Sequence, residues 1–196
     1  MTDTGVMAEV ERLGGREARA SRAGFVELLR DAVAGGASVG FLDPLPDDEA
    51  AAYWDGVFAE VEAGTRLLFV VRDGDEVLGS VQLAIPAKPN ARHRVAVEKL
   101  LVHSSARRRG LGTALMRAAE DATARMGRHL LVLDTEAGDR AGRLYERLGY
   151  VRAGVIPGYA LSPTGRPLGG AFYYRNLRDH DAHMIGESDT PPREFG

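Results

Sequence analysis

Residues 95–116 constrain the fold most, because they combine an apolar strand, a basic turn with two glycines and the start of a helix. Residues 95–102 have the apolar character of a buried strand. Arg107–Arg109 then bring three cations to a turn that contains Gly110 and Gly112. Glycines let a ligand approach the backbone, and a helix N-terminus attracts anions. The pattern predicts a phosphate-binding turn, with an ordinary solvated strand-to-helix turn as the alternative.

Two common phosphate-binding motifs fit this turn poorly. A P-loop needs lysine after its last glycine, whereas Thr113 and Ala114 follow Gly112. A dinucleotide fingerprint needs a third glycine, and Leu115 stands at that position. Asp134 lies at about the ribose-binding distance of that fingerprint, so the dinucleotide interpretation stays open as a weaker one.

Composition restricts the class of protein. The 196 residues, 44% of them hydrophobic, suffice for one domain with a full core. A net charge of −3 predicts no general attraction to nucleic acid or membrane. The absence of cysteine excludes disulfides, a cysteine nucleophile and thiolate metal sites, and we expect no metal site of another kind. Without an apolar run of bilayer length or a signal-peptide core, the expected location is the cytoplasm.

Hydrophobic periodicity predicts an α/β domain over residues 8–177, with flexible segments at 1–7 and 178–196. A strand, a helix and a further strand after residue 95 imply one parallel strand pair within a mostly antiparallel mixed sheet. The predicted strands are 8–13, 66–72, 76–85, the one at 95–102, 129–135, 151–156 and 171–177, and the predicted helices are 17–33, 47–63, 113–126 and 138–148.

The combined pattern resembles the GNAT superfamily of acyl-CoA-dependent N-acyltransferases. Arg107-x-x-Gly110-x-Gly112 matches its Arg/Gln-x-x-Gly-x-Gly/Ala signature, and residues 144–150, Leu-Tyr-Glu-Arg-Leu-Gly-Tyr, match downstream in order and spacing. The resemblance implies the GNAT fold, in which the central parallel strands splay apart and acyl-CoA enters the gap. It also implies acetyl-CoA as cosubstrate and, at the family level, a homodimer.

The same resemblance implies which residues bind the cofactor. The backbone of the turn would hold the pyrophosphate, arginine side chains would add charge-assisted contacts, and the strand before it would pair with the pantetheine arm. Leu101 N–H would also be a candidate oxyanion donor. The implied residues are Leu101, Val102, Arg107, Arg108, Arg109, Gly110, Leu111, Gly112 and Thr113.

Tyr145 is the candidate general acid. It aligns with the tyrosine that lies beside the cofactor sulfur in many GNAT enzymes. A phenol is neutral at pH 7 and donates a proton readily to a thiolate. The alternative is a helix tyrosine packed in the core.

Glu98 and Asp134 are the candidate bases, and the sequence does not decide between them. Glu98 is a lone acid in an apolar strand, and burial would tune such a carboxylate for proton transfer. The alternative is a solvent-exposed edge formed with Lys99, since neighbouring strand residues face opposite sides and cannot both point inward. Asp134 follows a buried strand, where α/β sites collect, with a helix cap or turn as its alternative. Together the two acids would suit a cationic amine.

Further segments resemble the tabtoxin-resistance acetyltransferases, among them residues 35–41, 133–138 and 157–159. This resemblance implies an acidic pair at Glu98 and Asp134 near the substrate amine, with the 36–41 loop close by. The leading hypothesis is acetyl transfer to a small-molecule amine, with a toxin or antibiotic as one candidate. The alternatives are a protein lysine or N-terminal acetyltransferase and a non-catalytic acyl-CoA sensor.

Overall fold

A computed structural model describes residues 9–178. The expected flexible segments, 1–7 and all of 178–196 except Arg178, lie outside that range. The strands are β1 (Val10–Leu13), β2 (Arg66–Asp73), β3 (Glu76–Ala84), β4 (Arg94–Val102), β5 (Leu130–Glu136), β6 (Val151–Leu161) and β7 (Pro167–Asn176). The helices are α1 (Gly15–Ala20), α2 (Arg22–Ala34), α3 (Asp47–Glu62), α4 (Leu111–Arg125) and α5 (Arg140–Arg147).

These strands form one seven-stranded sheet in the order β1-β2-β3-β4-β5-β7-β6. Every neighbouring pair is antiparallel except β4 and β5, which are parallel and joined through α4. Helices α1–α3 cover one face, where Phe25, Trp54 and Phe58 are fully buried. Helices α4 and α5 cover the other, where Leu115 and Met116 are buried. The α/β fold class predicted from the sequence is confirmed.

The parallel pair is short and then opens. β4 and β5 pair only from Arg94 opposite Leu130 to Ala96 opposite Val132. Beyond that point β4 stays paired with β3 as far as Val102, and β5 stays paired with β7 as far as Glu136. A gap therefore opens in the middle of the sheet between two strands that are each held firmly from the far side.

A β-bulge lies in β4 beside this gap. Ser80 of β3 faces Leu101 and Gln82 faces Glu98, so β4 carries one residue more than β3 over the same span. Lys99 has a left-handed backbone with φ 47°, which is uncommon for a residue other than glycine. The expectation that Glu98 and Lys99 face opposite sides was wrong, because the extra residue breaks the alternation and turns both side chains toward α3.

Two other elements differ from the prediction. The expected helix 17–33 is two helices, since Ser21 ends α1 and begins α2 with a non-helical backbone. The last two strands are longer than predicted and form a hairpin that turns at residues 162–166. Register irregularities between Ile156 and Ala160 absorb Pro157 and Gly158, which the sequence had indicated as a loop. Among residues 9–178 no helix combines the length and apolar character needed to cross a bilayer.

Candidate active site

The gap between β4 and β5 brings together most of the side chains that the sequence singled out. Glu98 and Lys99 lie on the β4 side, and Asp134 lies on the β5 side. Asp134 is influenced electrostatically by both Glu98 and Lys99, so the three charges share one site. Asp134 is a strand residue, and the cap of α5 is Asp139, which rules out the helix-cap interpretation of Asp134.

A buried polar network holds Glu98. Arg66 Nη1 donates to Glu98 Oε2 and to Gln82 Oε1, both at 2.7 Å. Gln82 is fully buried, and its Nε2 donates to Tyr53 Oη at 3.1 Å. Arg66 also bonds Glu60, so one guanidinium pairs with two carboxylates and balances the charge of only one of them. Glu98 is consequently an ion-paired carboxylate rather than a free one.

Sequence reasoning missed Arg66 and Gln82. Gln82 left a signal, since an amide between Val81 and Leu83 in an apolar strand needs a buried partner. The ring of Tyr53 packs against the rings of Phe41 and Trp54, with 5.3 Å between ring centres in each pair. Its hydroxyl also belongs to the network, and burial raises the pKa of Tyr53 to about 12.

Asp134 has no ion pair or hydrogen bond to its side chain within the described range. Burial raises the pKa of this carboxyl, Lys99 acts in the opposite direction, and Glu98 adds to the rise. A carboxylate with a raised pKa is a stronger base than an ordinary carboxylate. Its side chain lines a small cavity together with Ser38, Thr135, Glu136, Tyr159, Ala160, Leu168, Gly169 and Gly170.

Lys99 is the unpaired cation of the site. In the described part of the chain, no carboxylate lies within ion-pair distance of its ammonium group, which sits 5.7 Å from the centre of the Tyr53 ring. Burial lowers the pKa of Lys99, and the nearby Arg66 charge lowers it further, whereas Glu98 and Asp134 oppose the shift. Gly40 lies next to the ammonium group of Lys99, because a Cβ added to Gly40 would be 4.0 Å from Lys99 Nζ.

Tyr145, a buried residue of α5, lies on the other side of the sheet. Its side chain is 5% exposed, and its ring is 5.8 Å from the rings of Tyr150 and Tyr173. Burial raises the pKa of the phenol, and the charges of Asp139 and Asp134 add to that rise. The core-packing interpretation is therefore correct as a description of its surroundings. Such a phenol also keeps its proton at neutral pH, as an acid must.

The basic turn ends in an uncapped helix. Gly110 precedes α4 with φ 81°, a conformation that favours glycine, and Arg108 is also left-handed with φ 66°. No side chain caps the N-terminus of α4, and its first turn contains no acid. The first turn of α3, by contrast, carries three acids. Free N–H groups beside left-handed residues are typical of an anion-binding turn.

The glycines and arginines of this turn have distinct environments. A Cβ on Gly112 would lie 3.2 Å from Leu144 of α5, so this glycine permits close helix packing rather than open access for a ligand. The guanidinium of Arg107 folds back, with Nε donating to Val102 O at 3.3 Å. Arg108 and Arg109 make no hydrogen bond or ion pair within the described range and are exposed.

Two segments meet over the site. Ser38 Oγ donates to Leu161 O at 3.0 Å, and Asp43 N–H donates to Pro163 O at 2.9 Å. The 36–46 loop is thereby joined to the β6–β7 hairpin. Because Gly40 of the loop lies above Lys99 and Tyr159 of the hairpin lines the cavity at Asp134, the joined segments form a roof over the acceptor side of the gap.

The family of the chain follows from comparison with known proteins. A sequence model of the acetyltransferase (GNAT) family matches residues 39–150, which run from the roof loop through α5. The chain belongs to the GNAT family. Its activity is therefore acetyl transfer from acetyl-CoA, the donor that this family uses.

Solved structures agree with the GNAT fold. A Salmonella typhimurium protein, yncA, solved with its cofactor acetyl-CoA, is 20% identical with a TM-score of 0.68, covering 94% of this chain and 97% of that one. The ribosomal-protein-alanine N-acetyltransferase of Brucella melitensis is 18% identical, with a TM-score of 0.69 and coverage of 86% and 99%. An aminoglycoside 6'-acetyltransferase type Ii is 20% identical, with a TM-score of 0.63 and coverage of 86% and 97%. At these identities the likeness concerns the fold alone.

The residues of this GNAT site fit acetyl-CoA. The uncapped N-terminus of α4 and the exposed Arg108 and Arg109 suit a pyrophosphate, and the open edges of β4 and β5 suit an extended arm. Among residues 9–178 no group of three or more His, Cys, Asp or Glu side chains is arranged to hold a metal ion.

Proposed function

We propose that this chain is an N-acetyltransferase that moves the acetyl group of acetyl-CoA directly to the primary amine of a small molecule. The observation that carries the proposal is the placement of Asp134, a solvent-accessible carboxyl with a raised pKa, across the gap from Glu98. Such a carboxylate both attracts an ammonium group and removes its proton.

Each residue of the site has a distinct role in this proposal. Acetyl-CoA supplies an acetyl group activated as a thioester. The N–H groups of Leu111, Gly112 and Thr113, with the side chains of Arg108 and Arg109, hold the pyrophosphate. Val102, at the open edge of β4, orients the arm, whereas Leu101 forms a hydrogen-bonded pair with Ser80 of β3, so its N–H is not free to act as the oxyanion donor.

Proton movements complete the reaction. Asp134 removes a proton from the substrate ammonium, so that the nitrogen lone pair can form the new C–N bond as the C–S bond breaks. Tyr145 donates the phenolic proton to the departing sulfur. Glu98, ion-paired with Arg66, contributes to the charge balance around the amine and is not the base. The structure thus favours Asp134 over Glu98, a choice that the sequence left open.

The roof favours a small acceptor over a protein. The 36–46 loop and the β6–β7 hairpin are hydrogen-bonded to each other above Lys99 and Asp134, which narrows the space for a polypeptide. The similar structures include one named for a ribosomal-protein alanine and one named for an aminoglycoside, so the fold does not choose between these classes. The sequence resemblance to tabtoxin-resistance acetyltransferases makes toxins and antibiotics the first acceptors to assay. A cytoplasmic location and a homodimer remain expectations from the sequence.

The test is acetyl-CoA-dependent thiol release with a panel of amines: β-lactam amino acids, aminoglycosides, polyamines and lysine peptides. Turnover of one small amine that is lost in Asp134→Asn, but kept in the control Asp121→Asn on the exposed part of α4, supports the proposal. Turnover of peptides alone would identify a protein acetyltransferase. Binding of acetyl-CoA without turnover of any amine would favour the sensor alternative.

A further inference from the structure

Asp31, in the last turn of α2, holds the segment that leads into the phosphate turn. Ser104 N–H donates to Asp31 Oδ2 at 2.8 Å, and Ser104 Oγ donates to Oδ1 at 2.6 Å. The Asp31 side chain is only 15% exposed, so these are well-shielded contacts. One carboxylate therefore fixes both the backbone and the side chain of the residue that starts the short 3₁₀ turn Ser104–Ala106.

Two cationic or polar side chains from the same segment converge on Asp31. His103 Nε2 lies 3.8 Å from Oδ1, and Arg107 Nη2 lies 3.9 Å from Oδ2. His103 Nδ1 accepts from Ser105 N–H at 3.3 Å, which leaves the ring proton on Nε2, directed at the carboxylate. Residues 103, 104 and 107 are thus tied to one point on α2.

An acid at this end of a helix is otherwise unfavourable. The C-terminal end of a helix carries partial negative charge, and acids there cost stability unless another group compensates. α2 has no basic residue in its last turn, so the compensation for Asp31 comes from the turn after β4. Asp31 is thus unfavourable for its own helix but stabilises another segment. Residues of this kind are typical of functional positions.

The position of Arg107 depends on the same helix end. A Cβ on Gly35 would lie 3.2 Å from Arg107 Nη2, so the guanidinium rests against the backbone where α2 ends. With its Nε bonded to Val102 O, this arginine contacts the start of the turn, although its side chain is 46% exposed.

We propose that Asp31 is a positioning residue for the cofactor turn, acting through Ser104, His103 and Arg107 to preset the backbone N–H groups that receive the pyrophosphate. It lies outside residues 39–150, the part of the chain that matches the GNAT family. This inference rests on the proposed role of the turn in holding acetyl-CoA. According to this inference, α2 holds the turn through Asp31 in the shape that receives the pyrophosphate.

The test measures binding of CoA by calorimetry, which needs no acceptor amine. We expect Asp31→Ala to raise the Kd for CoA about tenfold, as for loss of hydrogen bonds to a charged group. Asp31→Asn, which can still accept from Ser104 but lacks the charge, should raise it about threefold. Asp31→Ala combined with Ser104→Ala should be no weaker than Asp31→Ala alone, because both changes remove the same contact. Glu27→Ala, at an exposed acid on the same helix, is the matched control and should leave the Kd unchanged.

A second measurement separates positioning from general damage. S-acetyl-N-acetylcysteamine is a thioester without a pyrophosphate, so its kcat/KM should be the same in Asp31→Ala and the wild type. An unchanged Kd for CoA in Asp31→Ala, or an equal loss with both donors, would overturn the inference. If Asp31→Ala does not fold, Asp31→Asn and Ser104→Ala decide in its place. Absence of CoA binding by the wild type would instead count against the proposed function.

Discussion

The two faces of the sheet differ sharply at the gap. On the face covered by α4 and α5, Tyr145 is surrounded by apolar and aromatic side chains. On the face covered by α3, Glu98, Lys99, Arg66 and Gln82 bring charges and an amide into a partly buried setting, in which the Glu98 side chain is 40% exposed. A neutral proton donor and a charged proton acceptor need opposite surroundings, and a sheet with an opening between two strands offers both within one site. The predictions below alter one face at a time.

The largest effect is expected on the face covered by α3, which we call the charged face because Glu98, Lys99 and Arg66 lie there. Asp134→Asn removes the proposed base, and we expect kcat to fall about 1,000-fold, within the range for general base catalysis. The Kd for CoA should stay the same, because Asp134 is not among the residues that hold the cofactor in this proposal. Steady-state kinetics and calorimetry on the same preparation check both statements. A kcat within threefold of wild type would contradict the role given to Asp134.

The next largest effect is expected from Tyr145, which lies on the apolar face that α4 and α5 cover. Tyr145→Phe keeps the packing and removes only the hydroxyl, and we expect kcat to fall about 100-fold with little change in melting temperature. Tyr173→Phe is the matched control, since its hydroxyl makes only a 3.4 Å hydrogen bond to Glu146. If both variants lost activity equally, the effect would belong to packing and not to proton donation.

Stability should depend on the charged face through Arg66. Arg66→Met leaves the Glu98 carboxylate without its donor and leaves Gln82 Oε1 with only the longer, 3.3 Å hydrogen bond from Tyr53 Oη. We expect the free energy of unfolding to fall by about 2 kcal/mol. Urea unfolding measures this change, and Arg12→Met on the edge strand β1 serves as the comparison. Equal stability of the two variants would show that the network contributes nothing beyond surface charge.

The smallest effect should be a shift in pH dependence. Lys99 lowers the pKa of Asp134 against the rise caused by burial. In Lys99→Met that pKa rises further, and a base works only above its pKa. The acidic limb of the kcat/KM profile should therefore move to higher pH, by up to about one unit. An unshifted limb, or a shift to lower pH, would show that the limb does not report Asp134.

Much of the fold could be predicted from the sequence, because local patterns determine it. The strand, glycine turn and helix at 95–125 and the Asp-Gly hairpin between β2 and β3 form as expected, since apolar periodicity and turn residues determine them. The break at Ser21 was not predicted, because its cause is packing around the residue and not a helix-breaking sequence.

The site was less predictable, because it depends on contacts between distant segments. The sequence singled out Glu98, Asp134 and Tyr145 but gave no pairing for Glu98, since Arg66 reaches it from another strand. Asp31 left only a weak local signal, an acid in the last turn of a predicted helix, because its partner Ser104 lies 73 residues further along the chain. The side of the sheet that Lys99 faces was predicted wrongly, because a single extra residue in β4 cannot be recognised without knowing how β4 pairs with β3.

The extra residue in β4 changes whether odd-numbered or even-numbered residues of the strand face each side of the sheet. Before the bulge, odd-numbered Val95 and Val97 face α4, and after it even-numbered Leu100 and Val102 do so. Deleting Lys99 would restore regular alternation and leave Glu98, Leu100 and Leu101 on the faces that they now occupy. The bulge therefore adds one charged side chain to the α3 side of the gap without changing which face the rest of β4 presents. Deletion of Lys99 should alter the charge of the site and not the packing of the strand.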